Sequence, residues 1–378
     1  MINRKTASFI VVLLAQSFVA NANVVATLEH QNMPGNVTIT VTYSNGGTSP
    51  VSIPVVDIPK TGEDGKLRGD ALHIRGIDGS IPPYTGYRVS YPRAALTQRL
   101  VIRPGEFLTR TIIVSKNYDL HAGMTYDITP RSFRQSDTDA APGRSGRLHD
   151  TDTIVPTLRI TAPSGGIPKP APNVQDGERI PTETACTIEQ FLTVTNAQAV
   201  SLKMAVDAYS YLSSLYTEKV VNGEIRKVFN QTPRYASWFG NHGDPNDPNP
   251  VNARIRTLVE VAASRHSKVS LPSCECSEQD QNDGVIAWVV ATSPHVINYC
   301  PAFFKLPVGP NVATGSQAAT IYHEITHFTD ALAKGTSDLD EKFASPPEAR
   351  YLATSARDLA ADHAYSFEYF ADNFANEE

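Results

Sequence analysis

Charge is scarce in this sequence: Asp, Glu, Lys and Arg together make up 19% of 378 residues, against about 25% in an ordinary soluble protein. Basic residues are outnumbered by acidic ones, 33 to 39, for a formal net charge of −6. Binding to a phosphate backbone needs a basic surface, so a nucleic-acid partner is excluded. Past the N-terminus no apolar run reaches the ~18–20 residues that cross a bilayer, so a membrane-spanning body is excluded. Internal repeats and low-complexity blocks are absent. Cysteine is missing before residue 186, and the remainder holds only Cys186, Cys274, Cys276 and Cys300. None of these forms a CxxC pair, which argues against a zinc ribbon.

What is present begins at the N-terminus. Met1 to Lys5 carries two basic residues, Ala7 to Ala20 is almost wholly apolar, and Ala20-Asn21-Ala22 supplies small residues for a cut. That is the grammar of a secretory signal over residues 1–22, and the expected location is extracellular. In an exported chain an even number of cysteines reads as disulfides. Four cysteines allow three pairings, and a Cys274–Cys276 bridge is cramped by ordinary disulfide geometry.

At ~150 residues per domain, the length predicts two or three domains. Residues 23–162 read as all-β. Val37 to Tyr43 alternates branched or aromatic residues with polar ones before the turn Asn45-Gly46-Gly47, and Leu100 to Ile102, Thr109 to Val114 and Leu158 to Ala162 repeat the pattern. Short strands with turn signals between them predict an immunoglobulin-like sandwich. Residues 163–183 are rich in Pro and Gly and read as an extended, cleavable linker. From residue 184 the texture turns α+β. A helix capped by Asn196 is expected through Val200, Met204, Leu212 and Leu215, and a second over 251–264. Strands are expected at 285–290 and 296–299.

The chemistry centres on His323-Glu324-Ile325-Thr326-His327. On a helix, imidazoles at i and i+4 lie one above the other and can reach one Zn²⁺, while the glutamate between them faces the open coordination site. Ile321, Ile325, Phe328 and Leu332 form the apolar stripe of that helix, opposite the histidines. A hydrolytic zinc needs a third protein ligand. Position 333 is alanine, so a histidine six residues after His327 is excluded. Glu348 would serve a thermolysin-like site, and Asp338 is the other choice, just past Gly335. On the C-terminal helix Leu359, Phe367, Phe370 and Phe374 make the buried stripe, with Tyr365, Glu368 and Asp372 on the other side. Trp238 and Phe239 read as core, His242 as a loop residue, and Asn36 and Asn230 open Asn-x-Thr acceptors.

Ile321-Tyr-His-Glu-Ile-Thr-His-Phe328 followed by Gly335-Thr-Ser-Asp338 resembles the deuterolysins, or aspzincins, a family of secreted zinc metalloendopeptidases that includes peptidyl-Lys metalloendopeptidases and bacterial toxic proteases. Arg234-Tyr-Ala-Ser-Trp-Phe-Gly240, the pair Cys274/Cys276, Tyr299-Cys-Pro-Ala-Phe303 and Ser366-Phe-Glu-Tyr-Phe-Ala-Asp-Asn373 extend the likeness over about 186–376. The resemblance implies one zinc held by His323, His327 and Asp338, with Glu324 as general base. It implies the pairing Cys186–Cys274 with Cys276–Cys300, and an α+β zincin-type domain over 184–378 acting on peptides and proteins. It also implies that the β-sandwich is a propeptide, an intramolecular inhibitor or chaperone. Tyr365 and Glu368 fall where the family binds the substrate side chain, but Tyr365 replaces the aspartate of lysine-specific members. Glu341 stands where the family carries an oxyanion-stabilising tyrosine; Tyr351 and Tyr365 are the replacements at hand. The competing class is a non-catalytic exported binding protein with the sandwich as its working part.

Overall fold

In the computed structural model the residues described are 24–33, 36–62, 64–92, 98–131, 134–137, 151–152, 155–164, 186–242, 250–269, 272–293, 295–309, 315–338 and 343–373. The expected signal 1–22, nearly all of the expected linker, Glu341 and Phe374 lie outside them.

The N-terminal half consists of small antiparallel sheets. β1 (Val24–Met33), β2 (Asn36–Asn45) and β7 (Phe107–Ile113) form one, in the order β1-β2-β7. β3 (Val51–Pro54) and β6 (Arg99–Ile102) belong to a second with β9 (Arg134–Asp137) and β10 (Thr151–Asp152). β4 (Leu72–Gly76), β8 (Thr125–Pro130) and β11 (Leu158–Thr161) form a third. The alternation read in 37–43 is the two-face period of β2: Val37, Ile39, Val41 and Tyr43 share one core with Ile53, Ile74, Ile112 and Ile128 from all three sheets, while Thr38 and Thr40 on the other face are covered as well. Asn45 closes the first corner by donating from Nδ2 to the carbonyls of Ser49 and Ile102.

One strand of this half leaves its own sheets. β5 (Arg88–Ser90) runs antiparallel to β14 (Ala287–Val289), whose other neighbour is β15 (Asn298–Tyr299).

The second half is mixed α/β. α1 (Ile188–Ser214) starts eight residues before Asn196, because Thr187 and Gln190 form a reciprocal capping box; Asn196 sits inside the helix. Met204, Leu212 and Leu215 are buried as the pattern requires. A hairpin, β12 (Tyr216–Val221) and β13 (Glu224–Phe229), follows around Asn222-Gly223, both at positive φ. α2 (Pro233–Phe239) buries Trp238 and Phe239, and α3 (Pro250–His266) contains the expected 251–264. α4 (Gln317–His327) carries the two histidines and packs against α1, α3 and α6 (Ala364–Asp372); α5 (Pro346–Ser355) lies between them in sequence. The bridges are Cys186–Cys274 and Cys276–Cys300. They tie the start of α1 and the end of β15 to the segment just before β14.

Two expectations about helix faces fail. Leu332 is 45% exposed because α4 stops at His327, where Phe328 turns to extended backbone. Leu359 is 49% exposed because it belongs to a separate turn of helix, Arg357–Ala360, rather than to α6.

Candidate metal centre

α4 is buried along its whole length. Ser316 caps it by accepting from the Ala319 N–H, and Ile321, Ile325 and Phe328 face the core. The polar side, which the sequence leaves open to a cleft, is covered as well: β5 and α6 lie on it.

After α4 the chain must return quickly for Asp338 to reach the histidines. Arg265, fully buried on α3, binds Asp330 through two nitrogens and donates to the carbonyls of Ile325 and Ala333. It therefore caps the helix end and fixes the loop together, and it holds the Asp330 carboxyl well below the usual range despite the opposing effect of burial. Gly335 lets the returning strand touch the helix end. A Cβ there would sit 2.0 Å from the His327 carbonyl oxygen. Thr336 N–H then donates to Thr326 O, and Ser337 pairs with the chain at 362–364. Asp338 is placed by backbone on both sides.

His323, His327 and Asp338 offer one ligand atom each within 4.8 Å of one another. His323 Nε2 is 3.0 Å from Asp338 Oδ1, and His327 Nε2 is 3.1 Å from Oδ2. The far ring nitrogens decide the tautomers. Thr326 Oγ donates to the His323 carbonyl, so Thr336 Oγ must donate to Thr326 and accept from His327 Nδ1, which also faces the Thr336 carbonyl. His323 Nδ1 faces the Glu368 carboxylate at 3.1 Å. Both Nδ1 atoms thus carry an N–H, and both Nε2 atoms face the Asp338 carboxylate, His323 Nε2 within hydrogen-bond distance of Oδ1. His327 Nε2 and Asp338 Oδ2 are buried with no hydrogen-bond partner among the described residues. Such an arrangement calls for a cation, and two imidazoles with one carboxylate are the donor set of a hydrolytic zinc. Glu348, by contrast, sits in the first turn of α5 and accepts from Ser345 Oγ; it is not part of this cluster.

The charges of the grouping act on one another. Burial works against His323, yet Asp338 and Glu368 raise it well above the usual imidazole range. Burial lowers His327, against the pull of Asp338. Asp338 lies far below the carboxylate range although burial opposes it, because both histidines favour its charge.

Glu324 is fully buried, and burial pushes its carboxyl up to about 8. Its Oε1 accepts a 2.5 Å hydrogen bond from Ser90 Oγ, 234 residues away in β5, while Oε2 has no partner among the described residues. Ser90 O accepts from the Ile286 N–H, and Arg131 donates to the Asp338 carbonyl. No motif marks Ser90 or Arg131; only the tertiary structure brings them here. A small cavity of about 20 Å³, room for one water, lies between Ser90 and Tyr91 on one side and Ile286, Thr320, Tyr365 and Glu368 on the other. The Tyr365 ring meets His323 edge-on at 4.4 Å, whereas Tyr351 is 55% exposed on α5. His242 Nε2–H donates to the Phe239 carbonyl, a loop-closing contact.

Comparison with known proteins adds independent findings. A family model described as lysine-specific metallo-endopeptidase, the aspzincins, matches residues 225–372. A peptidyl-Lys metalloendopeptidase of Armillaria mellea is 26% identical over 89% of this chain and 87% of its own length. An extracellular protease of Aeromonas hydrophila is 25% identical over 90% and 89%. Among solved structures, a zinc peptidase from Grifola frondosa aligns over 51% of this chain and all of its own, at 23% identity and a TM-score of 0.40.

Proposed function

The chain belongs to the aspzincin family of zinc metalloendopeptidases, and from that premise we propose that it is an exported proenzyme held latent by its own N-terminal half. In this reading 1–22 is the signal, 23–162 an immunoglobulin-like propeptide, 163–183 the processed linker and 184–378 the catalytic domain. The family assignment removes the competing class of a non-catalytic binding protein.

His323, His327 and Asp338 hold the ion, and the observation that carries this is the convergence of their unshared electron pairs at one buried point. Zinc, when bound, supplies Lewis acidity that acidifies a water molecule and polarises a peptide carbonyl. Glu324 takes the proton from the attacking water and hands it to the leaving amine. Tyr365 and Glu368 border the recess for a substrate side chain.

Latency is supported by the placement of β5. An extended peptide seeks an exposed strand edge, and Arg88–Ser90 already occupies the edge of β14 while the Ser90 hydroxyl sits on Glu324. Arg68–Asp280 at 2.7 Å and Lys60–Asp283 at 3.1 Å hold the same two halves together beside it. Export is supported by the two disulfides, bonds characteristic of oxidising compartments.

The test is a pair of variants. Glu324→Ala is expected to fold, to bind zinc and to lose peptide cleavage by several orders of magnitude, along with its own cutting inside 162–185. Asp338→Ala is expected to lose zinc, measured by metal analysis after dialysis, and Glu348→Ala to keep it. Turnover by Glu324→Ala, or zinc loss in Glu348→Ala alone, rejects these roles.

A further inference from the structure

The two histidines of α4 are held by different partners. His327 Nδ1 meets neutral oxygens, the carbonyl and hydroxyl of Thr336. His323 Nδ1 meets a carboxylate, Glu368 Oε2, at 3.1 Å, with both side chains at least nine-tenths buried. Burying a carboxylate is costly unless it is paired, so Glu368 needs a reason to be there. Its helix is fixed to keep it there. Arg234, itself buried, donates from Nε and Nη2 to the Phe370 carbonyl at 3.1 and 2.5 Å and lies over the Tyr211 and Phe370 rings. The Tyr369 hydroxyl donates to the Ala344 carbonyl on the other flank.

We propose that Glu368 is a positioning residue for His323: its carboxylate fixes the ring with Nδ1–H outward and the Nε2 lone pair aimed at Asp338. This rests on the zinc reading above and adds a role that does not depend on substrate. An imidazole whose N–H is held by a carboxylate cannot swing or change tautomer, and it becomes a stronger electron-pair donor. The asymmetry has a structural origin. Thr336 is delivered to His327 by the strand that brings Asp338, whereas His323, one turn earlier, faces α6 and must take its partner from there. The carbonyls of the turn before His323 cannot supply that acceptor, since they are committed within the helix.

The proposal is tested on the intact full-length chain carrying Glu324→Gln, so that turnover does not alter the sample. Zinc affinity is measured by competition with a chromophoric chelator, and the apo melting temperature is recorded alongside. Glu368→Ala is expected to weaken zinc 10–100-fold with the apo melting temperature unchanged. Glu368→Gln, whose amide carbonyl still accepts from Nδ1–H, is expected to restore most of that loss. If the alanine variant is destabilised without metal, Glu368→Asp replaces it: charge and fold are kept, the carboxylate is withdrawn by one methylene, and the same weakening is expected. Cobalt substitution gives a second reading, since a released His323 lowers the intensity of the tetrahedral visible bands. Zinc affinity equal to the parent in Ala or Asp, or no recovery in Gln, overturns the assignment. A parent that takes up no zinc, or an unaffected His323→Ala control, would instead sink the metal reading itself, so the two failures are distinct.

Discussion

Gly335 shows how one missing side chain sets the reach of the site. Its Cα lies so close to the end of α4 that a methyl group would overlap the carbonyls of His327 and Phe328. Gly335→Ala must push away the strand that carries Thr336 and Asp338. The expected result is a folded protein with at least tenfold weaker zinc, by chelator competition, since orientation of ligands by their neighbours is worth that much; unchanged affinity would refute it. His266 acts on stability instead. It is half-buried between Ser201 Oγ and the Ala262 carbonyl, and desolvation lowers it to about 4. The unfolded chain therefore binds more protons between pH 6.5 and 4, so stability is complete above 6.5, falls through that window and is lost no further below it. The loss is at most about 3 kcal/mol. Urea unfolding at pH 7 and 4.5 should show it, with the difference shrinking in His266→Gln. At this scale the sequence was informative where chemistry is local. The spacing of His323, Glu324 and His327 carries its own geometry, but Thr336, Glu368 and Ser90 earn their roles only through contacts made in three dimensions.

Among the elements, β5 is the most consequential, and it is three residues long. Through Ser90 it reaches Glu324, and through its backbone it completes the sheet of β14 and β15. Ser90→Ala removes a hydrogen bond worth about 1.5 kcal/mol, so the intact chain is expected to cleave a fluorogenic peptide about tenfold faster before any processing; a slower or equal initial rate contradicts the latch. Helix and strand periods were legible wherever a whole face is apolar, as in β2 and α1. The hairpin of β12 and β13 went unread although Asn222-Gly223, at positive φ in both positions, is the turn dipeptide such hairpins require. Leu332 and Leu359 fit a helical period in sequence, yet the helices stop short of them, because a loop fixed by Arg265 and a break before α6 outrank the pattern. No period could announce that β5 would pair outside its own half.

For the whole molecule, the two halves meet where the chemistry is. Tyr87 packs on Trp288 at 4.5 Å, Arg68 pairs with Asp280, and Arg131 reaches from the third sheet to the carbonyl of Asp338. Domain texture was visible in composition: apolar alternation before residue 162, Pro and Gly after it, helical periods later. The docking was not, because it depends on matching two surfaces. A joint consequence follows from the strand that crosses between them. β14 lends its edge to Arg88–Ser90 in the intact chain, and those same main-chain groups are what an incoming polypeptide would need. Under the proposed latency, severing the connection would not by itself free them; the cut piece would also have to depart. The released N-terminal half should therefore compete in trans with protein substrate, giving inhibition that is strongest at high enzyme concentration and fades on dilution, so that the protease wakes as it spreads.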